Sequence, residues 1–240
     1  MSGSRGPVSD MLRHYRPQDQ AEAADVERVR ALADSVDDPW LRSIPLHVTG
    51  SALIVHPETG RVLLRWHQRQ QAWLQVGGHA DPGESDPLEI ALREAAEETG
   101  LTDLVPWPDG QLRHVVIVPV PASSREPAHE HADLRFVLAT RAPDLVREES
   151  PGAPLRWLSP SEARELSSEA NLQETVTRAE RLLTDNGRSL PGAGLAERGL
   201  EDLARGPFRE LGHEPDLARA LVGGQSFATA LPLDDLIVGK

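Results

Sequence analysis

Three glutamates crowd one short stretch, Arg93-Glu94-x-x-Glu97-Glu98-x-Gly100, and this crowding constrains the chain more than any other feature. On a helix Glu94, Glu97 and Glu98 stand at i, i+3 and i+4, so their carboxylates share one face. Like charges so placed repel by roughly 0.2–0.5 kcal/mol per pair. A divalent cation would neutralise that repulsion, and hard oxygen ligands suit Mg²⁺, with Mn²⁺ as the alternative. The competing reading is a solvated face of Glu–Arg pairs, which is what most charge runs are.

The flanking text predicts the helix that carries these acids. Asp86 is a suitable N-cap, Pro87 fits the first helical position, Glu89 stands at the capping-box position, and Gly100 supplies the stop. Leu88, Leu92, Ala95 and Thr99 recur at helical spacing and are expected to face the core, roughly 130° from the acids. The acids are then expected to point away from the core, toward Gly77-Gly78. Those glycines follow a strand-like run, Trp73-Leu74-Gln75-Val76, and without Cβ atoms they let backbone approach a ligand closely.

Strand, Gly-Gly loop and acidic helix together resemble the Nudix hydrolase family, whose signature is G-x5-E-x7-R-E-U-x-E-E-x-G-U with U apolar. Gly78, Glu84, Arg93, Glu94, Ala95, Glu97, Glu98, Gly100 and Leu101 fall on its fixed positions. The departure is the spacer between Glu84 and Arg93, which is one residue longer than the pattern and lies around Ser85-Asp86. His47-Val48-Thr49-Gly50-Ser51-Ala52 before the box, and His129-x-His131-x-Asp133-Leu134-Arg135-Phe136 after it, resemble a Nudix subgroup with Gly-Gly-His at the loop. The resemblance covers about residues 40–185.

What the resemblance implies is an α/β fold, an α/β/α sandwich around a mixed β-sheet, and hydrolysis of a diphosphate linkage in a nucleoside diphosphate joined to another group. By it, Glu94, Glu97 and Glu98 would hold the metal, with the Gly78 carbonyl as a further ligand. Arg93 would tether the helix to the loop by pairing with Glu84, or Glu84 would touch the metal indirectly. The base would be a carboxylate on a separate loop, for which Glu149 is the candidate, or else Glu97 or Glu98. Gly77, Gly78, His79 and Arg135 are the expected substrate contacts. His129, His131 and Asp133 at strand spacing would share a face and are read either as an extension of the site or as hydrogen-bonded surface groups.

Two other classes share the fold. An isopentenyl-diphosphate-isomerase-like enzyme is disfavoured because the chain has no cysteine. A non-catalytic nucleotide-sensing module is disfavoured because every acid of the cluster is present. Subfamily marks are sparse: no SQPWPFPxS-like run follows the box, and Trp66, Trp73 and Trp107 could stack a base but are expected in core or rim.

Composition narrows the partners. With 25 basic against 38 acidic residues the net charge is −13, which opposes long nucleic acids and leaves a small phosphorylated, nucleotide-derived substrate. The absence of cysteine excludes disulfides, zinc-thiolate sites and thiol nucleophiles. No apolar run approaches a membrane span and the start MSGSRGPVSD lacks a hydrophobic signal region, so a cytoplasmic monomer or homodimer is expected.

Along the chain, three segments are expected: an N-terminal arm and helix (1–40), a Nudix domain (41–185), and a C-terminal extension of short helical segments (186–240). Residues 1–16 are polar and punctuated by Pro and Gly, and are expected to fray. A helix is predicted over 18–35, strands over 51–55, 61–65, 113–120, 134–140 and 155–158, and a helix capped by Ser159 continuing toward Leu183.

Overall fold

A strand buried on both faces must lie between layers, and the run Leu46–His56 is such a strand. Its alternate residues Val48, Ala52 and Ile54 fill one core, while Leu53 and Val55 fill another. A computed structural model of the chain describes residues 6–124 and 126–186. In it β1 (Leu46–His56) pairs in parallel with β7 (His129–Ala139), from Leu46 opposite Glu130 to Val55 opposite Ala139. Its other edge takes two antiparallel partners in turn: β4 (Val76–Gly78) opposite Gly50 to Ala52, then β2 (Arg61–His67) opposite Ile54 to His56. β2 also pairs with β3 (Ala72–Leu74) and β8 (Leu155–Leu158), and β7 with β5 (Val105–Pro106) and β6 (His114–Val120), all antiparallel. The result is a mixed, eight-stranded sheet.

Helices cover both faces. On one side α1 (Pro7–His14), α2 (Gln20–Ser35) and α3 (Pro87–Thr99) bring Val8, Leu12, Val26, Val29, Ile90 and Ala91 against Val48, Ala52, Leu134 and Phe136. On the other, α4 (Pro160–Leu166) and α5 (Ala170–Asn186) bring Ala163, Leu172, Val176 and Ala179 against Leu53, Val55 and Val137. Each fully buried aliphatic side chain contributes about 1.5–3 kcal/mol, so neither helical layer is dispensable. The α/β/α architecture and the N-terminal helix agree with the sequence reading.

Four local expectations are corrected. Residues 7–14 form a helix rather than a frayed arm, because Val8 and Leu12, four apart, reach the core together. The run 73–76 is not one strand: it breaks at Gln75, so that β3 pairs with β2 and β4 with β1. The helical pattern after Ser159 is two helices, separated at Ser167 to Glu169, where Ser167 ends α4 and its hydroxyl accepts from the Glu169 N–H. The core stripe of α3 is rotated, with Ile90, Ala91, Ala95 and Thr99 buried and Leu88 and Leu92 only partly so. The expected C-terminal extension, residues 186–240, lies outside the described residues except for Asn186. Among the described residues no helix is long and apolar enough to cross a membrane.

Candidate active site

α3 is fixed at both ends before its acids are placed. The Asp86 carboxylate accepts from the N–H groups of Leu88 and Glu89, Pro87 opens the first turn, and Gly100 closes the helix in the left-handed conformation, φ 68°. Arg93 then gathers the surroundings. Its Nε and Nη2 donate to the two oxygens of Glu84, both at 2.9 Å, and Nη2 also donates to the His79 carbonyl at 2.9 Å. Its Nη1 donates to Glu94 and Glu97, both at 3.0 Å. The additional spacer residue sits ahead of the helix and leaves this two-pronged grip intact. Pairing with Arg93 holds the Glu84 carboxyl below its ordinary range, and Asp81 N–H occupies Glu84 Oε2 as well. Tethering is the role these contacts support.

Two of the acids reach Gly77-Gly78 and are enclosed there, and the third is exposed. The Glu94 and Glu98 side chains are only 17% and 13% exposed, whereas Glu97 is 57% exposed. Glu94 lies against the backbone of Gly78, where an added Cβ would stand 2.6 Å from its carboxylate. Gly77 has φ 146° and its N–H donates to Glu98 Oε2 at 3.1 Å, while a Cβ there would meet Ser51 Cβ at 2.3 Å. Gly77 therefore requires glycine, and a side chain at Gly78 would have to displace the Glu94 carboxylate. Burial pushes the Glu98 carboxyl up to about 7, in spite of Arg65 and the Gly77 N–H, and burial likewise raises Glu94.

Arg65 was missed by sequence reasoning. From β2 its Nη1 reaches Glu98 at 3.1 Å and its Nη2 reaches Glu149 at 2.6 Å, bringing the loop acid beside the helix acids. A lone arginine in a strand gives no signal of this, because Glu149 is 84 residues away in sequence.

Arg135, expected against substrate, is instead 2% exposed and spent on internal bonds. Its Nε donates to Asp133 at 2.7 Å, and its Nη1 to Asn171 and Thr175 at 3.0 Å, which moors α5 to β7. Asp133 also accepts from Thr49, Ser51 and Gln75. Trp107 is buried in the core, and Trp66 and Trp73 pack edge to face on β2 and β3. His79, His129 and His131 do converge, together with His47, whose place on β1 gives no sign in sequence of this meeting. Burial lowers His79 to about 3 and His131 to about 4, and lowers His47 as well.

Carboxylates at 94, 97 and 98, two of them enclosed and raised by burial, form a donor set that fits a hard divalent ion. The glycine cradle at 77 and 78 leaves room for backbone to join it. The NUDIX domain model matches residues 45–179, which spans β1 through most of α5. This chain belongs to the Nudix family. With its acid cluster and arginine complete, it is an enzyme of the pyrophosphohydrolase class.

Solved structures similar to this Nudix chain include a NUDIX-family hydrolase from Clostridium perfringens, 24% identical, with a TM-score of 0.46, covering 57% of this chain and 97% of that one. An Ap4A hydrolase from C. elegans is 19% identical, with a TM-score of 0.45 and coverage of 57% and 98%. The dihydroneopterin triphosphate pyrophosphohydrolase of E. coli is 18% identical, with a TM-score of 0.43 and coverage of 57% and 95%. No curated protein matches the sequence.

Proposed function

We propose that this Nudix chain hydrolyses a diphosphate linkage in a nucleoside diphosphate joined to a second group, with Mg²⁺ or Mn²⁺ as cofactor. The observation that carries this is the enclosure of Glu94 and Glu98 against Gly78 and Gly77, with Arg93 holding Glu84, Glu94 and Glu97 in one web. Glu94, Glu97, Glu98 and the Gly78 carbonyl would hold the ion, which supplies charge neutralisation for phosphoryl oxygens and acidifies a bound water. Arg93 positions the loop through the His79 carbonyl. Glu149, held beside Glu98 by Arg65, is the base that accepts the proton of the attacking water. Gly77, Gly78 and the backbone of His79 stand beside the acids and their arginine and are assigned to substrate contact. Glu84 serves the tether rather than the ion.

The catalytic unit is assigned to residues 41–185, with the segment 1–40 packed on it as an arm; the compartment proposed is the cytoplasm. The substrate is small, because a net charge of −13 opposes a long polyanion unless metal offsets it locally.

The test is an assay of the dialysed protein with Mg²⁺ and with Mn²⁺ across nucleoside diphosphate sugars, dinucleotides, oxidised and normal (d)NTPs and dinucleoside polyphosphates. Cleavage of at least one class, abolished by chelation and restored by added metal, is expected. Metal-independent turnover, or none with any phosphoric anhydride, would contradict the proposal.

A further inference from the structure

Three histidines meet on the sheet face opposite α3. His47 on β1 stands directly across the parallel ladder from His131 on β7, and the pairing of Gly78 with Gly50 brings His79 alongside. One ligand nitrogen from each lies within 4.8 Å of the other two. His47 Nε2 and His79 Nε2 are 3.1 Å apart. Two imidazole nitrogens on one tetrahedral ion stand roughly 3.3 Å apart, as metal–nitrogen distances of about 2.0–2.1 Å require. The His47–His79 spacing is already close to a ligating one, and His131 stands within 4.8 Å of both.

Proton placement points the same way. His47 Nδ1 lies 3.0 Å from the Ile44 carbonyl, and a carbonyl only accepts, so Nδ1 carries the proton and Nε2 presents its lone pair to the cluster. This is the backbone-carbonyl support that orients metal-ligating histidines. His129 repeats the pattern beside the cluster, with Nδ1 on the Pro127 carbonyl at 2.9 Å and Nε2 3.1 Å from His131 Nε2. Asp133, at strand spacing from His131, is not part of the set: Thr49, Ser51, Gln75 and Arg135 take its oxygens.

We propose that His47, His79 and His131 form a binding site for one borderline divalent transition ion of the Zn²⁺ class, separate from the carboxylate cradle. Imidazoles select Zn²⁺, Co²⁺, Ni²⁺ or Cu²⁺ over the hard Mg²⁺ that carboxylates take, so one chain can sort two ions by ligand type. Three protein ligands leave a fourth position open. The site is coupled to the acids by one residue, because the His79 carbonyl accepts from Arg93 while its ring faces the other histidines. An ion here would fix the loop that carries Gly78.

The test uses the full untagged chain, stripped by chelation and held in excess Mg²⁺ to occupy the carboxylates. It is titrated with Co²⁺, followed by visible absorption and calorimetry. One Co²⁺ per chain is expected, displaced by Zn²⁺. Binding should weaken at least about tenfold in His131→Ala and in His79→Gln, the lower end of what losing mere ligand support costs. Glu98→Gln should leave it unchanged. Circular dichroism monitors folding, and His79→Gln, at the more accessible loop position, serves if His131→Ala does not fold. No Co²⁺ bound in excess Mg²⁺, unchanged affinity in the folded histidine variants, or loss of binding in Glu98→Gln would overturn the proposal.

Discussion

Gly78 is where a single atom decides the most. A methyl group there would stand 2.6 Å from the Glu94 carboxylate, so Gly78→Ala must push that side chain out of the cradle. We expect at least about a hundredfold loss of kcat, because a 1 Å misplacement can cost that much, with the melting temperature little changed. Steady-state kinetics beside a thermal melt distinguish this from simple unfolding. Glu98 gives a pH signature. Its carboxyl is raised from 4.5 to about 7, so without metal it disfavours the folded state once ionised: stability is fully present below about 4.5 and declines as pH rises through 7. Mg²⁺ should therefore stabilise the protein more at pH 8 than at pH 6, and Glu98→Gln should flatten that difference. Equal Mg²⁺-induced shifts at the two pH values would show that Glu98 does not titrate into the ion.

Among the elements, α3 was the most legible in sequence and α1 the least, whereas α2 was read over 18–35. Asp86, Pro87 and Gly100 announce the ends of α3 because capping is local, settled within a few residues. The rotation of its buried stripe to Ile90 and Ala91 was not legible, since Gly50 on β1 provides the groove, and that contact crosses forty residues of chain by number. α1 and α2 are held by a cluster equally remote in sequence. The buried Glu22 carboxylate accepts from Arg178 of α5 at 2.8 and 3.0 Å, from Tyr15, and from the Gln18 and Val115 N–H groups. Burial pushes Glu22 up, but these hydrogen bonds, that of Arg178 foremost, more than reverse it and leave its pKa below the ordinary carboxylate range. Glu22 thus contributes stability present above about 4.5 and lost as pH falls below it, a window distinct from that of Glu98. Arg178→Met, which leaves the carboxylate buried without its guanidinium, should cost about 3–5 kcal/mol. A urea melt at pH 7 measures it, and a loss under 1 kcal/mol would mean the cluster is not what binds α5 to the N-terminal helices.

At the scale of the molecule, the sheet does two jobs with alternate residues of the same strands. Along β1 and β7 the even positions Ala52, Leu134 and Phe136 build the core under α3, while the odd ones run from His47 and His131 through Thr49 and Asp133 to Leu53 and Val137 under α5. Fold class was legible from strands interleaved with helices together with the resemblance carried by the residues from Gly78 to Leu101. The cation between the acids was not, because Arg65 meets Glu98 and Glu149 only through the pairing of β2, and His47 likewise meets His79 and His131 only through the register of β1 with β4 and β7. The central claim is that the acids of α3, Glu98 enclosed at Gly77 and Glu97 exposed beside it, perform metal-dependent hydrolysis of a diphosphate bond. Its most direct test is Mg²⁺-dependent turnover of Glu97→Gln and Glu98→Gln on whichever anhydride the wild type cleaves. A loss of about 10²-fold or more in each, with folding intact, is the predicted result; full Mg²⁺-dependent turnover in both would contradict it.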